Sequence, residues 1–248
     1  MIRILLVRHG ETEWNKTHRL QGQSSIDLAE SGRAQARAAG RYVRSQNPAR
    51  GYVSTLERTA QTFAEFGLDY APEVIAEFAE QHLGEWEGMK TAQAKEQYPE
   101  LYKAWKSGEG TPPGGEAPEA LVERMSSAFF HVVRAAADAP ATHSADEKYP
   151  LRTAVVVSHG TSIKALLEAL GLIDRTRVIS VTAGAISVID VPLHGGPLSS
   201  SLPKGGLDES LSSEQEAEAI RALTDEQIRA HAKLRMFNLS PEVLGSLA

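Results

Sequence analysis

The chain has 248 residues, of which 42% are hydrophobic and 23% are charged, a composition typical of a soluble globular protein with one large domain or two small ones. It contains no cysteine, which excludes disulfides, cysteine-ligated zinc, iron–sulfur clusters and a thiol nucleophile. Its formal net charge of −6 disfavours a general nucleic-acid binder, because such proteins neutralise many phosphates with Lys and Arg.

The elements predicted along the first half of the chain alternate between strand and helix. The run IRILLV at residues 2–7 is almost continuously apolar, which suits a strand covered on both faces in a parallel sheet. It is too short for a membrane span and has no secretory cleavage region, so we expect no membrane partner and a cytoplasmic protein. The next predicted elements are a helix at 30–44, a strand at 52–54, a helix at 57–66, a strand at 74–76 and a helix at 91–98 that Pro99 ends.

The second half continues the alternation up to residue 191. A polar connection at 108–118 leads to a helix at 119–138, a surface loop at 139–152, a strand at 153–157 and a helix at 161–170. Two strands within 178–191, divided by the turn signal Ala183-Gly184, predict a hairpin. We therefore predict a three-layer α/β/α sandwich, with a mostly parallel sheet and one antiparallel strand from that hairpin.

The composition changes after Pro192. Residues 193–213 are rich in Gly, Ser, Pro and Leu, which predicts a loop or flexible linker, and residues 214–236 again have a helical pattern. The predicted division is an α/β domain at 1–192, the linker at 193–213 and a helical tail at 214–248. That tail is either a structural appendage or a lid over a site.

Two similar motifs, VRHG and VSHG, follow the two most apolar strands and contain His9 and His159. In an open parallel sheet, ligands bind at the carboxyl ends of strands, where loops lead into helix N-termini. A glycine after each histidine admits a close ligand or a sharp turn. If the two strands are neighbours, both imidazoles face one pocket.

The arginines and glutamates near these motifs indicate phosphoryl chemistry. Arg8 and Arg58 carry guanidinium groups that can form paired hydrogen bonds with phosphate oxygens, and two arginines plus a histidine supply positive charge without a metal. The loop at residues 78–88 contains Glu80, Glu85 and Glu87, and a carboxyl group there can protonate a leaving oxygen. Spacing alone does not decide which glutamate does so.

A metal site formed by His9, Glu11 and His159 is the competing interpretation, because imidazole and carboxylate bind divalent ions well. The adjacent arginines would repel a cation and already provide its charge. We therefore predict no metal and no cofactor.

Five segments resemble the histidine phosphatase superfamily, in its branch that includes the cofactor-dependent phosphoglycerate mutases. In chain order, from about residue 2 to 191, they are LLVRHGETEWN, RLQGQSSIDL, STLERTAQT, EQHLGEWEG and VVVSHGTS. The resemblance implies that His9 is the nucleophile, that Arg8, Arg58 and His159 form the phosphate pocket, and that Glu80 is the proton donor. It also implies phosphoryl contacts from Asn15 and Gln21 and from the backbone of Gly22 and Gly160.

The resemblance leaves the reaction open between hydrolysis and transfer. The mutases carry R-F-T-G-W or R-F-C-G-W and K-R-A-x-x-T, where this chain has RLQGQ and ERTA, so the phosphatase interpretation fits both segments. The mutases, however, have a C-terminal tail that closes over the site and excludes water, and this chain also has a tail. Mutase activity is therefore kept as an alternative. A non-catalytic adaptor for a phosphorylated partner needs only the positive charges, so the presence of His9, Glu80 and His159 argues against it. The expected partner is a small phosphorylated substrate, while its identity and the oligomeric state stay undetermined.

Overall fold

A six-stranded sheet runs through the part of the chain that this computed structural model describes, residues 1–142, 150–178, 180–193 and 213–246. The strands are β1 (Ile2–Arg8), β2 (Arg50–Val53), β3 (Glu73–Val74), β4 (Arg152–Ser158), β5 (Ile186–Val191) and β6 (Lys233–Leu239). Their order across the sheet is β3-β2-β4-β1-β5-β6. Among these strands only β5 runs against the others, being antiparallel to β1 and β6. The predicted sheet, mostly parallel with one antiparallel strand, is confirmed.

Helices connect the strands and cover the sheet. The α-helices of the described residues are α1 (Glu13–Lys16), α2 (Glu30–Ser45), α3 (Glu57–Ala64), α4 (Thr91–Gln97), α5 (Pro99–Ser107), α6 (Pro118–Ala135), α7 (Gly160–Ala169), α8 (Ser213–Arg221), α9 (Asp225–His231) and α10 (Pro241–Ser246). Short 3-10 turns lie at Ala76–Phe78, Gly84–Trp86, Ala136–Asp138 and Arg175–Arg177. None of the helices in these ranges is long and apolar enough to cross a membrane.

The side chains of β1 alternate between two cores, one on each face of the sheet. Ile4 and Leu6 belong to the larger core, which α6, α7, α8 and α9 complete. Leu5 and Val7 point the other way and pack with α2 and α3. Full burial of such a side chain stabilises the fold by about 1.5–3 kcal/mol. Helices therefore cover both faces, and the predicted three-layer α/β/α sandwich is confirmed.

The hairpin predicted within residues 178–191 is wrong. Among its described residues, only the second half forms a strand, β5, which pairs with β1 on one side and β6 on the other. The predicted turn exists, but Gly184 (φ +72°) donates its N–H to the carbonyls of Arg8 and His9, both at 3.1 Å. The turn is therefore hydrogen-bonded to the carboxyl end of β1 and does not join two strands of a hairpin.

The helix predicted at 214–236 is wrong at its C-terminal end. The segment forms α8, α9 and then β6, which adds an edge strand to the sheet. The Thr224 hydroxyl caps α9, and Ile220 and Ile228 are buried in the larger core. The tail is therefore packed into the sandwich. The predicted linker at 193–213, except for its two end residues, lies outside the described residues, as does part of the loop predicted at 139–152.

A helix was not predicted after Pro99, yet α5 begins at this residue. Proline ends a preceding helix, but it also fits the first helical position, where its missing N–H costs nothing. Helix α5 matters for the site because its Trp105 and Lys106 line a cavity there.

Candidate active site

The two motif histidines lie side by side at the carboxyl ends of neighbouring strands. Strands β1 and β4 pair in parallel with Arg8 opposite Ser158, so the next residue of each chain segment leaves the sheet at the same place. The ring centroids of His9 and His159 are 5.1 Å apart, and the rings are tilted by 57°. His9 is 3% exposed and His159 is fully buried. The two rings therefore lie next to each other at the same edge of the sheet, as expected for neighbouring strands.

His9 has one ring nitrogen engaged and the other available. Its Nδ1 lies 2.7 Å from the carbonyl oxygen of Gly10, which only accepts, so Nδ1 carries the hydrogen and Nε2 keeps its lone pair. Burial, followed by the charges of Arg58 and Arg8, holds the pKa of His9 well below its usual range. At neutral pH His9 is therefore an uncharged imidazole whose Nε2 keeps its lone pair.

His159 is fixed from the neighbouring strand β2. Its Nε2 lies 2.8 Å from the hydroxyl of Ser54, which directly follows that strand, while its buried Nδ1 has no hydrogen-bond partner. Burial and the nearby Arg58 lower the pKa of His159 well below its usual range. Ser54 was not singled out from the sequence, because only the adjacency of β2 and β4 brings it to His159.

Backbone carbonyls orient both pocket arginines. Arg58 donates from Nη2 to the carbonyl of Gly22 at 2.7 Å and from Nη1 to that of Ser24 at 2.8 Å. Arg8 donates from Nη1 to the carbonyl of Val181. The Nε of each is buried without a partner, and burial lowers the pKa of Arg58 to about 10, where it stays protonated at neutral pH. These carbonyls orient two cations without neutralising their charge.

The loop that carries Gly22 is held by Glu87. This carboxylate accepts hydrogen bonds from the N–H of Gln23 (2.9 Å), the hydroxyl of Ser24 (2.5 Å) and the N–H of Leu83 (3.2 Å). Burial raises its pKa, but these donors outweigh burial and leave the pKa below its usual value. Glu87 therefore shapes the loop from which Arg58 takes its two carbonyl partners.

Gln21 and Asn15, predicted phosphoryl contacts, have different surroundings. The Gln21 side chain is buried, and its Oε1 has no hydrogen-bond partner. The Asn15 side-chain oxygen accepts from the N–H and hydroxyl of Thr12 at 3.0 and 3.1 Å, in the capping box that begins α1. The contacts shown for Asn15 are local, so its contact with a phosphoryl group stays a prediction.

Glu80 lies at the N-terminus of α7. Its Oε1 accepts from the N–H and hydroxyl of Ser162 and from the N–H of Gln81, while its Oε2 accepts from the N–H of Thr161 at 3.1 Å. Oε2 is thus the less engaged oxygen. Glu80 lines a cavity of about 170 Å³ together with Arg8 and Gly160, the first residue of α7. Of the three loop glutamates, it is the one placed beside these motif residues.

Arg124 of α6 fixes the backbone that leads into Glu80, and nothing in the sequence pointed to it. Its guanidinium donates to the carbonyls of Glu77, Ala79 and Glu80 and forms a salt bridge with Glu116. A half-buried Arg–carboxylate pair whose guanidinium also donates to three backbone carbonyls is held in one orientation. The only sequence signal is an arginine inside an amphipathic helix, which by itself indicates a solvated face.

Several buried polar atoms around the histidines have no protein partner. They are Arg8 Nε, Arg58 Nε and His159 Nδ1. Buried polar atoms in proteins are nearly always hydrogen-bonded, so a cluster of unpaired ones around two cations marks a place where a polar ligand completes the bonding. The arrangement suits a tetrahedral anion next to a neutral imidazole.

The comparisons with known proteins agree with this architecture. A glucosyl-3-phosphoglycerate phosphatase of Mycobacterium tuberculosis is 34% identical over 171 residues, which cover 68% of this chain and 74% of that protein. A metal-independent phosphoserine phosphatase of Arabidopsis thaliana is 33% identical over 170 residues, 66% of each protein. The native structure of a mycobacterial glucosyl-3-phosphoglycerate phosphatase matches with a TM-score of 0.69 at 26% identity, covering 96% of this chain and 99% of that one.

Fold and site define an α/β protein in which two buried imidazoles lie side by side at the carboxyl ends of neighbouring parallel strands. The histidine phosphatase superfamily (branch 1) matches residues 4–200, and the chain therefore belongs to that superfamily. The predicted family is confirmed. So is the predicted enzyme class, a phosphomonoester hydrolase.

Proposed function

We propose that this enzyme hydrolyses a small phosphorylated metabolite, without a metal, through a phosphohistidine on His9, with Glu80 as the proton donor. The observation that carries the proposal is the bond from His9 Nδ1 to the Gly10 carbonyl, which leaves the lone pair of Nε2 available for nucleophilic attack, with the charges of Arg58 and Arg8 nearby. The relatives named as phosphatases of glucosyl-3-phosphoglycerate and of phosphoserine support a small substrate.

In the first step, Nε2 of His9 attacks phosphorus in line with the ester oxygen. The N–P bond forms, the P–O ester bond breaks, and the leaving oxygen takes the proton of the Glu80 carboxyl group. Arg8, Arg58 and His159 hold the equatorial oxygens, where the transferring group concentrates its charge. The proposed contacts from Asn15, Gln21, Gly22 and Gly160 complete the pocket.

In the second step, water replaces the alcohol. Glu80, now a carboxylate, takes a proton from water as the water oxygen bonds to phosphorus and the N–P bond breaks, so inorganic phosphate leaves and both groups return to their initial states. The position of Glu80 in the cavity beside Arg8 and Gly160 supports this double role.

The metal-independent part of the proposal rests on charge. Arg8 and Arg58 already supply the positive charge that a divalent ion gives other phosphatases. No group of three or more His, Asp or Glu side chains suited to hold a metal ion lies within the described ranges. The alternative metal set of His9, Glu11 and His159 therefore receives no support from the geometry.

The nucleophile is tested with p-nitrophenyl phosphate in EDTA. We expect His9→Ala to lose at least about a thousandfold in kcat, because no other group takes up the phosphoryl. An acid-labile, base-stable phosphoryl group should be trapped on the wild-type enzyme and not on the variant. His131→Ala, on the exposed side of α6, is the matched control. Equal turnover by wild type and His9→Ala contradicts the proposal.

The proton donor is tested by changing the leaving group. Glu80→Gln should slow hydrolysis of alkyl phosphates by roughly 10²–10⁴-fold and that of aryl phosphates much less, because a phenolate leaves without protonation. An equal decrease in rate for both substrate types would show that Glu80 is not the proton donor.

The alternatives predict different products. A mutase would move the phosphoryl group between two hydroxyls of a phosphoglycerate with little release of inorganic phosphate. An adaptor would bind a phosphopeptide tightly without turnover.

A further inference from the structure

Gln81, the residue after Glu80, is a buried polar side chain that the mechanism above does not use. It is 1% exposed, although glutamine side chains lie mostly on protein surfaces. Its amide is engaged at both ends: Nε2 donates to the carbonyl of Glu116 at 2.8 Å, and Oε1 accepts from Nε1 of Trp105 at 2.8 Å. A buried amide with partners at both ends holds its residue in one orientation.

Trp105 of α5 is a firmly held partner for Gln81. It is 6% exposed and lines the 170 Å³ cavity together with Glu80. Its ring packs edge-on against Trp86, with centroids 5.6 Å apart, and against Tyr102, with centroids 5.4 Å apart. Close packing against two other rings leaves the indole little freedom to turn. The indole N–H is therefore a fixed donor for Gln81.

Glu116 holds the other end of the Gln81 amide and the residues around it. Its N–H donates to the carbonyl of His82 at 2.8 Å, and its carboxylate pairs with Arg124. Arg124 in turn donates to the carbonyl of Glu80 at 3.1 Å. The peptide unit that joins Glu80 to Gln81 is therefore fixed through its carbonyl as well as through the Gln81 side chain.

The N–H of the same peptide unit reaches the carboxyl group of Glu80. It donates to Oε1 at 2.9 Å, where the N–H and hydroxyl of Ser162 also donate, at 3.0 and 2.9 Å. The hydrogen bond shown for Oε2 is the one from the N–H of Thr161 at 3.1 Å. A proton on Oε1 would face other donors, so the proton of the carboxyl group belongs on Oε2. The contacts of Oε1 thus decide which oxygen of Glu80 is the acid.

We propose that Gln81 is a positioning residue for the proton donor. Its side chain, held by Trp105 and Glu116, fixes the peptide N–H that binds Oε1 of Glu80, so that Oε2 delivers the proton to the leaving oxygen as the P–O bond breaks. This inference rests on the proposed function, because it takes Glu80 as the donor. It links the aromatic wall of the cavity to the acid through one buried amide.

Two substrates that differ only in the leaving group test the proposal. p-Nitrobenzyl phosphate and p-nitrophenyl phosphate carry the same nitroaryl ring, but the alkoxide of the first is a much poorer leaving group and needs the proton. A displaced acid should therefore slow hydrolysis of the benzyl ester far more than that of the phenyl ester.

Gln81→Met keeps the length of the side chain and removes both amide hydrogen bonds. We expect it to lower kcat for p-nitrobenzyl phosphate about tenfold or more and kcat for p-nitrophenyl phosphate less than about threefold, with KM nearly unchanged, because a misplaced acid costs rate in the transition state. Trp105→Phe keeps an aromatic ring, removes the indole N–H and should shift the ratio of the two rates in the same direction. It covers the case in which Gln81→Met fails to fold.

Two controls separate positioning from a general loss of stability. Gln97→Met makes the same substitution at an exposed position of α4 and should leave both rates unchanged. Phe129→Leu opens space in the larger core, so it should lower the free energy of unfolding while the ratio of the two rates stays at its wild-type value.

Equal slowing of both substrates by Gln81→Met, or by Trp105→Phe where Gln81→Met does not fold, would overturn the inference. Glu80→Gln separates this failure from failure of the proposed function, because it must itself discriminate between the two substrates if Glu80 is the donor. Discrimination by Glu80→Gln alone overturns only the positioning role of Gln81.

The double variant shows whether Gln81 acts through Glu80. In Glu80→Gln protein, the added Gln81→Met should change the ratio of the two rates less than about twofold, since changes that act through one group do not add. A further change of about tenfold in that background would contradict the proposal, because no carboxyl group remains there to be positioned.

Discussion

Single residues at this site are constrained by contacts that the side-chain chemistry alone does not reveal. Gly22 has φ +51°, and a Cβ built there would lie 2.2 Å from Oε1 of Glu87. The carboxylate that holds the loop therefore occupies the space a larger residue would need. Gly114 also has a positive φ, +65°, but a Cβ there would meet nothing within 4 Å.

The pair Gly22→Ala and Gly114→Ala separates backbone strain from crowding. Gly114→Ala should cost about 1–2 kcal/mol in free energy of unfolding, the strain of a left-handed alanine. Gly22→Ala should cost more and should also lower kcat/KM at least about tenfold, because displacing Glu87 moves the carbonyls that orient Arg58. Denaturant unfolding and p-nitrophenyl phosphate kinetics measure both. Equal losses of stability in the two variants, with unchanged activity of Gly22→Ala, would show that the Glu87 side chain moves aside without disturbing the loop.

At the scale of elements, the C-terminal strand supports the site. Asn238 of β6, at φ +53°, accepts from the N–H of Thr182 at 2.7 Å and donates to the carbonyl of Ser180 at 3.3 Å. The carbonyl of Val181, between these two residues, is the partner of Arg8. The tail thus acts on the pocket through the loop that orients Arg8.

Asn238→Ala should therefore affect stability and substrate binding together. Loss of the two hydrogen bonds and the left-handed alanine should cost about 1–3 kcal/mol in free energy of unfolding, and KM should rise because Arg8 loses a fixed partner. Asn238→Asp keeps an acceptor for the Thr182 N–H, so its free energy of unfolding and its KM should stay close to those of the wild type. A wild-type KM for Asn238→Ala would show that the tail does not influence substrate binding in the pocket.

At the scale of the whole molecule, burying two neutral imidazoles makes folding depend on pH. An unfolded histidine has a pKa of about 6.5 and takes up a proton as the pH falls below that value. In the folded state His9 and His159 have lower pKa values, so both stay uncharged at that pH. The unfolded state then binds more protons, so stability is complete above about pH 6.5 and is lost as the pH falls toward the lowered folded pKa values.

We expect the free energy of unfolding to decrease from pH 7.5 to 5.5, and His159→Gln to make that decrease shallower. The buried amino group of Met1, whose pKa burial lowers to about 6, acts in the same direction, so the difference between the two proteins is the measured quantity. Denaturant titrations at each pH give this difference, with His131→Gln as the surface control. Parallel curves for wild type and His159→Gln would contradict the argument.

The sequence by itself determined the layers of the fold and much of the candidate site. Apolar runs at β1 and β4 and the motifs after them are local signals, and a parallel sheet brings the ends of its strands together, so the meeting of His9 and His159 followed. Placing Glu80 beside Arg8, by contrast, rested on the family resemblance.

Only the tertiary structure decided which segments pair and which charges are left unneutralised. The partners of β5 are β1 and β6, about 180 and 45 residues away along the chain, and no local pattern encodes such a pairing. Likewise, Lys164 reads as one polar residue in an apolar helix and Arg175 as a surface arginine. Both side chains are nevertheless buried, and α7 contacts the turn that carries Arg175. Their electrostatic energy depends on distance and desolvation, and a linear sequence specifies neither.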